Sequence, residues 1–194
     1  MSTRVSRETY VLFLALLLVP LGGCASASAS GREPEDTVLA QVVGVDVDGR
    51  GVTVTAAGRD GEETAVVSAS GGSLEEAFAA LSTAGEKYFS LTNVTQVLVG
   101  DGVDVIAVLK YVLDDPDMSY RARVWAAGYA GGVMEELKEK GLGRFQLLEE
   151  GGAGTATVKT ALAELLEEKK TVIPSLTMGR AGLEVAGKLY FEVR

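Results

Sequence analysis

One cysteine, Cys24, closes the tetrapeptide Leu21-Gly22-Gly23-Cys24. A lone cysteine has no disulfide partner in its own chain, so its thiol is open to other chemistry. Upstream stand Arg4 and Arg7, then an apolar run from Val11 to Leu21, the charged start and short apolar core of an export signal. Val11 to Cys24 is 14 residues, short of the ~20 that a membrane-spanning helix needs, and Pro20 breaks helical continuity. Small residues ending in cysteine match a bacterial lipobox, where the thiol is diacylated and the cysteine becomes the first mature residue. Residues 1–23 are therefore expected to be a lipoprotein signal peptide. Cys24 is expected to carry the lipid, palmitate-type acyl chains among it, and to hold the protein at the extracytoplasmic face of a membrane. Two acyl chains anchor stably where one is marginal. The alternative is an ordinary cleaved signal with an incidental cysteine.

The rest of the chain is poor in catalytic material. It has no histidine and no second cysteine, which removes Ser-His-Asp and Cys-His nucleophile systems, histidine-ligated zinc and thiol redox chemistry. Losing Arg4, Arg7 and Glu8 with the leader takes the formal charge from −9 to −10. So acidic a body disfavours nucleic acid and anionic lipid headgroups as partners. Carboxylate or serine–lysine chemistry stays formally open, but no enzyme, cofactor or metal is expected.

Four patterns could still carry a site. Asp46-Val47-Asp48-Gly49 opens like a calcium loop, yet Arg50 stands where a further oxygen ligand is wanted. It reads as a hairpin turn. Gly128-Tyr129-Ala130-Gly131-Gly132 lies between a strand and a helix, where phosphate loops occur, but its spacing fits neither G-x-G-x-x-G nor a P-loop. It reads as a loop needing unusual backbone angles. Asp114, Asp115 and Asp117 cluster at a helix C-terminus, where the helix dipole disfavours negative charge. They can pair with Arg121 or Arg123, cap a turn, or present an acidic patch to a partner. The Glu-Lys runs at 135–140 and 164–170 read as solvated helix faces.

The elements that must position these residues follow from periodicity. Residues 24–36 are a small, polar tether, and 37–194 are expected to form a single domain. Thr37–Val47 and Val52–Thr55 form an N-terminal hairpin, with a third strand near Thr64–Ser68. Ser73 and Glu76 suit a capping box, and Leu74, Ala77, Phe78 and Leu81 make the inward stripe of the helix that follows. Val94–Val99 reads as a compact apolar strand ended by Gly100. A helix over about Val103–Leu113, with Leu113 inward, ends before Pro116. Tyr120–Ala126 alternates as a strand, which would put Arg121 and Arg123 on one face. A short helix lies between Gly131 and Gly141, and another carries Val158, Ala161, Leu162, Leu165 and Leu166 inward. Thr171–Ile173 and Leu183–Val193 close the chain as strands. The expected class is α+β: a mixed β-sheet with an N-terminal hairpin and helices packed against it.

Several segments, in order, resemble the C-subunit lipoproteins of bacterial spore germinant receptors, the GerAC or Ger(x)C family. Val42-Val43-Gly44-Val45-Asp46-Val47-Asp48-Gly49 is similar to the opening strand and Gly-Ile-Asp-x-Asp-Gly turn of that family. Residues 70–78 are similar to its Gly-rich helix entry, and Gln96-Val97-Leu98-Val99-Gly100 to its strand ending in glycine. The fullest likeness runs from Val112 to Val124, across the helix, the Asp-Pro turn and the arginine-bearing strand. Ser90-Leu91-Thr92-Asn93 lacks the histidine common there. The chain also ends at Arg194, where the family continues into a large C-terminal domain. The resemblance implies a non-enzymatic, membrane-anchored receptor subunit, truncated to the N-terminal domain. It would act in germination and sporulation, sit in the spore inner membrane, and assemble with polytopic membrane subunits. Asp114, Asp115, Asp117, Arg121 and Arg123 become candidate partner contacts. A general envelope lipoprotein that binds a small molecule or a cell-wall component is the alternative.

Overall fold

The first strand shifts its alternation by one residue partway along, and the sheet is organised around that shift. Val38 and Ala40 are buried on one face of β1 (Thr37–Asp48). A β-bulge between Ala40 and Val42 then inserts one residue, Gln41, against β2 (Gly51–Asp60). Beyond it Val43 and Val45 continue the first face, while Val42 joins the core on the opposite side. The computed structural model describes residues 36–49, 51–154, 156–180 and 182–193. The leader, Cys24, the tether before Asp36 and Arg50 lie outside the described residues.

The sheet has eight strands in the order β3-β2-β1-β5-β6-β7-β8, with β4 also paired to β1. The N-terminal meander β1-β2-β3, with β3 at Glu63–Gly71, is antiparallel. The centre is parallel: β5 (Gln96–Val99) lies between β1 and β6 (Arg123–Ala127), and β7 (Lys170–Gly179) follows β6. β8 (Gly182–Glu192) returns antiparallel along β7. β4 (Tyr88–Ser90) and β5 share one edge of β1, one on each side of the bulge, and Gln41 O accepts from Thr95 N between them at 2.9 Å. All four residues of β5 are buried, as expected of a strand covered on both faces.

Helices cover both faces. On one lie α1 (Leu74–Leu81), α2 (Val105–Asp114) and α5 (Val158–Glu167), packing Phe78, Leu109 and Leu165 against Val43, Val97 and Val124. On the other, α3 (Ala130–Lys140) and α4 (Arg144–Glu150) pack Met134, Leu137 and Phe145 against Val42, Leu98 and Trp125. The mixed sheet with helices packed on it is the α+β architecture expected.

Local chemistry accounts for most boundaries. Ser73 accepts from Glu76 N, while Glu76 reaches back to Gly72 N, one residue before the N-cap that the capping-box reading assigns it. Asp104 caps α2 through Ala107 N. Thr157 and Thr160 make a reciprocal box at α5. Three expectations need correction. The strand expected over Tyr120–Ala126 begins only at Arg123, because Ala122 N bonds to Ser119 O and Arg121 N to the Ser119 hydroxyl, closing a turn. Leu113 and Leu166 point outward, and Val108 takes the inward place on α2. The helix α4 lies in a stretch with no helical expectation; only Phe145 of its seven residues is buried.

Candidate functional site

The C-terminal ends of the parallel strands β1, β5 and β6 are where α/β sheets usually receive ligands. In this chain that position is filled from within. Asp46 is near the end of β1, on the face that bears α3, and is 8% exposed. Its Oδ1 accepts from Ala130 N and its Oδ2 from Gly131 N, both at 2.8 Å. A helix N-terminus offers unpaired N–H donors and the positive end of the dipole. An anion placed there is stabilised, and here the anion is a side chain of the protein. Gly100, just after β5, leaves the space that the carboxylate needs: a Cβ there would overlap Asp46 Oδ1. Gly44 lets α3 approach, since a Cβ there would stand 2.9 Å from that of Ala130.

Two sequence expectations change with this arrangement. Asp46 is a strand residue rather than a turn residue, and it is separated in role from Asp48, whose Oδ1 accepts from Gly51 N inside the hairpin. The stretch 128–132 is not a loop with unusual angles. Ala130, Gly131 and Gly132 already lie in α3, and none of the three glycines has positive φ. The glycines give room instead: the Tyr129 ring lies over the first turn, where Cβ atoms at Gly131 and Gly132 would come within 2.8 and 2.9 Å of it.

The candidate partner residues fall into three settings. Asp114 and Asp117 are exposed; Asp115 is the C-cap of α2, and its Oδ1 accepts from Asp117 N at 2.8 Å in an Asx turn. Arg121 is exposed, with its guanidinium 5.6 Å from the centre of the Tyr120 ring, and Lys159 Nζ lies 5.9 Å from the same ring. Arg123 opens β6 and pairs in register with Gln96. Arg121 thus belongs to the turn and Arg123 to the strand, so the shared face expected of them does not form. The aspartates border a groove of about 740 Å³ between α1 and α2, with Leu74, Tyr111 and Pro116 as its apolar surface. Tyr111 stacks on Phe78 at 4.3 Å. Burial, then the charges of Asp115 and Glu75, push its phenol above the ordinary value. The Glu75 carboxyl is held below its ordinary value by its own backbone N–H and by the Ser73 hydroxyl.

A second cleft, of about 430 Å³, opens on the α3–α4 side beside the bulge of β1. Sequence patterning gave no warning of it. Behind it runs a buried polar chain: Trp125 Nε1 donates to Gln96 Oε1, and Gln96 Nε2 donates to Glu149 Oε1, each at 2.7 Å. The bulge turns Val42 toward this side, and α4 supplies Phe145 and Glu149. Neither the bulge nor α4 has a local signature, so the cleft had no sequence signal to find it by. A glutamine within an otherwise apolar strand, Gln96, is the one clue.

No helix of the described residues is long and apolar enough to cross a membrane. Compared with protein-family profiles, curated proteins and solved structures, the chain matches none.

Proposed function

We propose that this protein is a lipid-anchored, extracytoplasmic module without catalytic activity, a subunit in germinant sensing of the kind its sequence resembles. The observation that carries the non-catalytic part is Asp46. The position where this sheet would hold a phosphate or a reacting anion is occupied by the protein's own carboxylate, buried and bonded to two backbone amides. Anchoring is supported by Leu21-Gly22-Gly23-Cys24 behind an apolar leader. Assembly with polytopic membrane subunits is supported by the resemblance. On this reading Asp114, Asp117 and Arg121 are the exposed contacts, while Asp115 and Arg123 hold the turn and the strand that present them.

Co-purification from detergent-solubilised membranes tests the partner assignment. Asp114→Asn with Asp117→Asn, and separately Arg121→Lys, should leave the fold intact and reduce recovery of the neighbouring membrane subunits severalfold. Unchanged recovery with an intact fold would remove this surface from the account. The second reading, an envelope lipoprotein that binds a small molecule or cell-wall component, is favoured by one observation, the polar-backed cleft beside the β1 bulge.

A further inference from the structure

The cleft beside the bulge carries two opposite charges that do not neutralise each other. Arg59, exposed on β2, lines one side, and Glu149, half-buried on α4, lines the other. Neither makes an ion pair within 4.0 Å among the described residues, with the other or with any third group. Glu149 is fixed by the amide of Gln96, itself 6% exposed and tied to the Trp125 indole. One hydrogen bond from an amide satisfies one oxygen and leaves the charge. The rest of the wall is mixed: Gln41, Thr95 and Gln146 line it with polar groups, and Val42, Leu142 and Phe145 lie buried behind them.

We propose that this cleft binds a small zwitterion, a free amino acid or a molecule of that size and charge pattern. Its carboxylate would meet the Arg59 guanidinium, a planar donor fork suited to two parallel hydrogen bonds. Its ammonium would meet the Glu149 carboxylate, and its side chain would lie along the mixed wall of Gln41, Thr95 and Gln146. The volume lies within the range of small-molecule sites. Separated charges on a preformed surface select a molecule carrying both of its own, because a ligand lacking either leaves one wall unpaired. The proposal rests on the small-molecule reading above and names the ligand class; it does not depend on the membrane partner.

The test follows thermal unfolding of the full chain in detergent, with leucine, leucine amide, N-acetyl-leucine and an uncharged N-acetylglucosamine oligomer as probes. Leucine should raise Tm saturably, as a ligand specific for the native state must. Leucine amide lacks the carboxylate and N-acetyl-leucine the ammonium, and each should bind about tenfold more weakly or worse. Glu149→Gln keeps the acceptor for Gln96 and loses only the charge; Arg59→Gln changes an exposed position. Each variant should keep its unliganded Tm and lose about tenfold in leucine affinity. No shift with leucine, or equal shifts with leucine and both blocked forms, would overturn the proposal. A shift with the sugar oligomer alone would also overturn it, while sparing the wider small-molecule reading.

Discussion

Asp46 has the clearest energetic role of any single side chain in the structure. Its carboxylate satisfies two of the N–H groups that a helix start leaves unpaired, with the attraction of the dipole added. Asp46→Ala removes both bonds and leaves two buried donors, so it should destabilise the protein by about 3 kcal/mol. Urea denaturation reads this directly, and a loss under about 1 kcal/mol would mean water replaces the carboxylate freely. Tyr111 provides a pH-dependent counterpart. With its phenol raised by burial, Asp115 and Glu75, the folded state holds the proton more tightly than the unfolded chain does. Stability from this group is therefore full below the unfolded value of about 10 and falls as pH rises through the higher folded value. Tyr111→Phe keeps the stack on Phe78 and should flatten that alkaline decline in denaturation midpoints, with no effect at neutral pH.

Elements show how two glycines of similar appearance in the sequence come to differ. Gly154 has φ +73°, and a Cβ there would overlap the Trp125 indole. Gly154→Ala should cost about 2 kcal/mol or more, from backbone strain and overpacking together. Gly131 lies in the first turn of α3, and its Cβ would meet only the tip of the exposed Tyr129 ring. Gly131→Ala should be neutral or stabilising by up to about 1 kcal/mol, because alanine favours the helix. Thermal denaturation should separate the two variants, with Tm lowered for Gly154→Ala and unchanged or raised for Gly131→Ala.

The elements with strong local signatures were legible from the residues alone. Examples are the β1–β2 hairpin, the Ser73-capped helix with Phe78 and Leu81 inward, and the buried β5. What could not be read came from tertiary context. The bulge at Gln41 depends on how β1 meets β2, and α4 buries only Phe145 of its seven residues. The turn at Ser119–Ala122 overrides an alternating pattern by bonding two backbone amides. Asp46 was visible as an aspartate in a hairpin, but its partners lie 84 and 85 residues away. No local window holds both ends of that contact.

At the scale of the whole molecule, an acidic body and a start with the pattern of an export signal accompany a sheet in which Asp46 fills the end of β1 from within. An acidic surface gives little attraction to anionic headgroups, so the proposed anchoring rests on acylation of Cys24, which two chains would make stable. Cys24→Ala should move the protein from the membrane fraction to the soluble one, or leave the leader uncleaved, without altering the folding of the domain. The most direct test is mass spectrometry of the mature protein extracted from its native membrane. The account predicts an N-terminal residue that is Cys24, carrying a diacylglyceryl thioether. A mature protein with a free Cys24 thiol, or one that begins elsewhere, would contradict it.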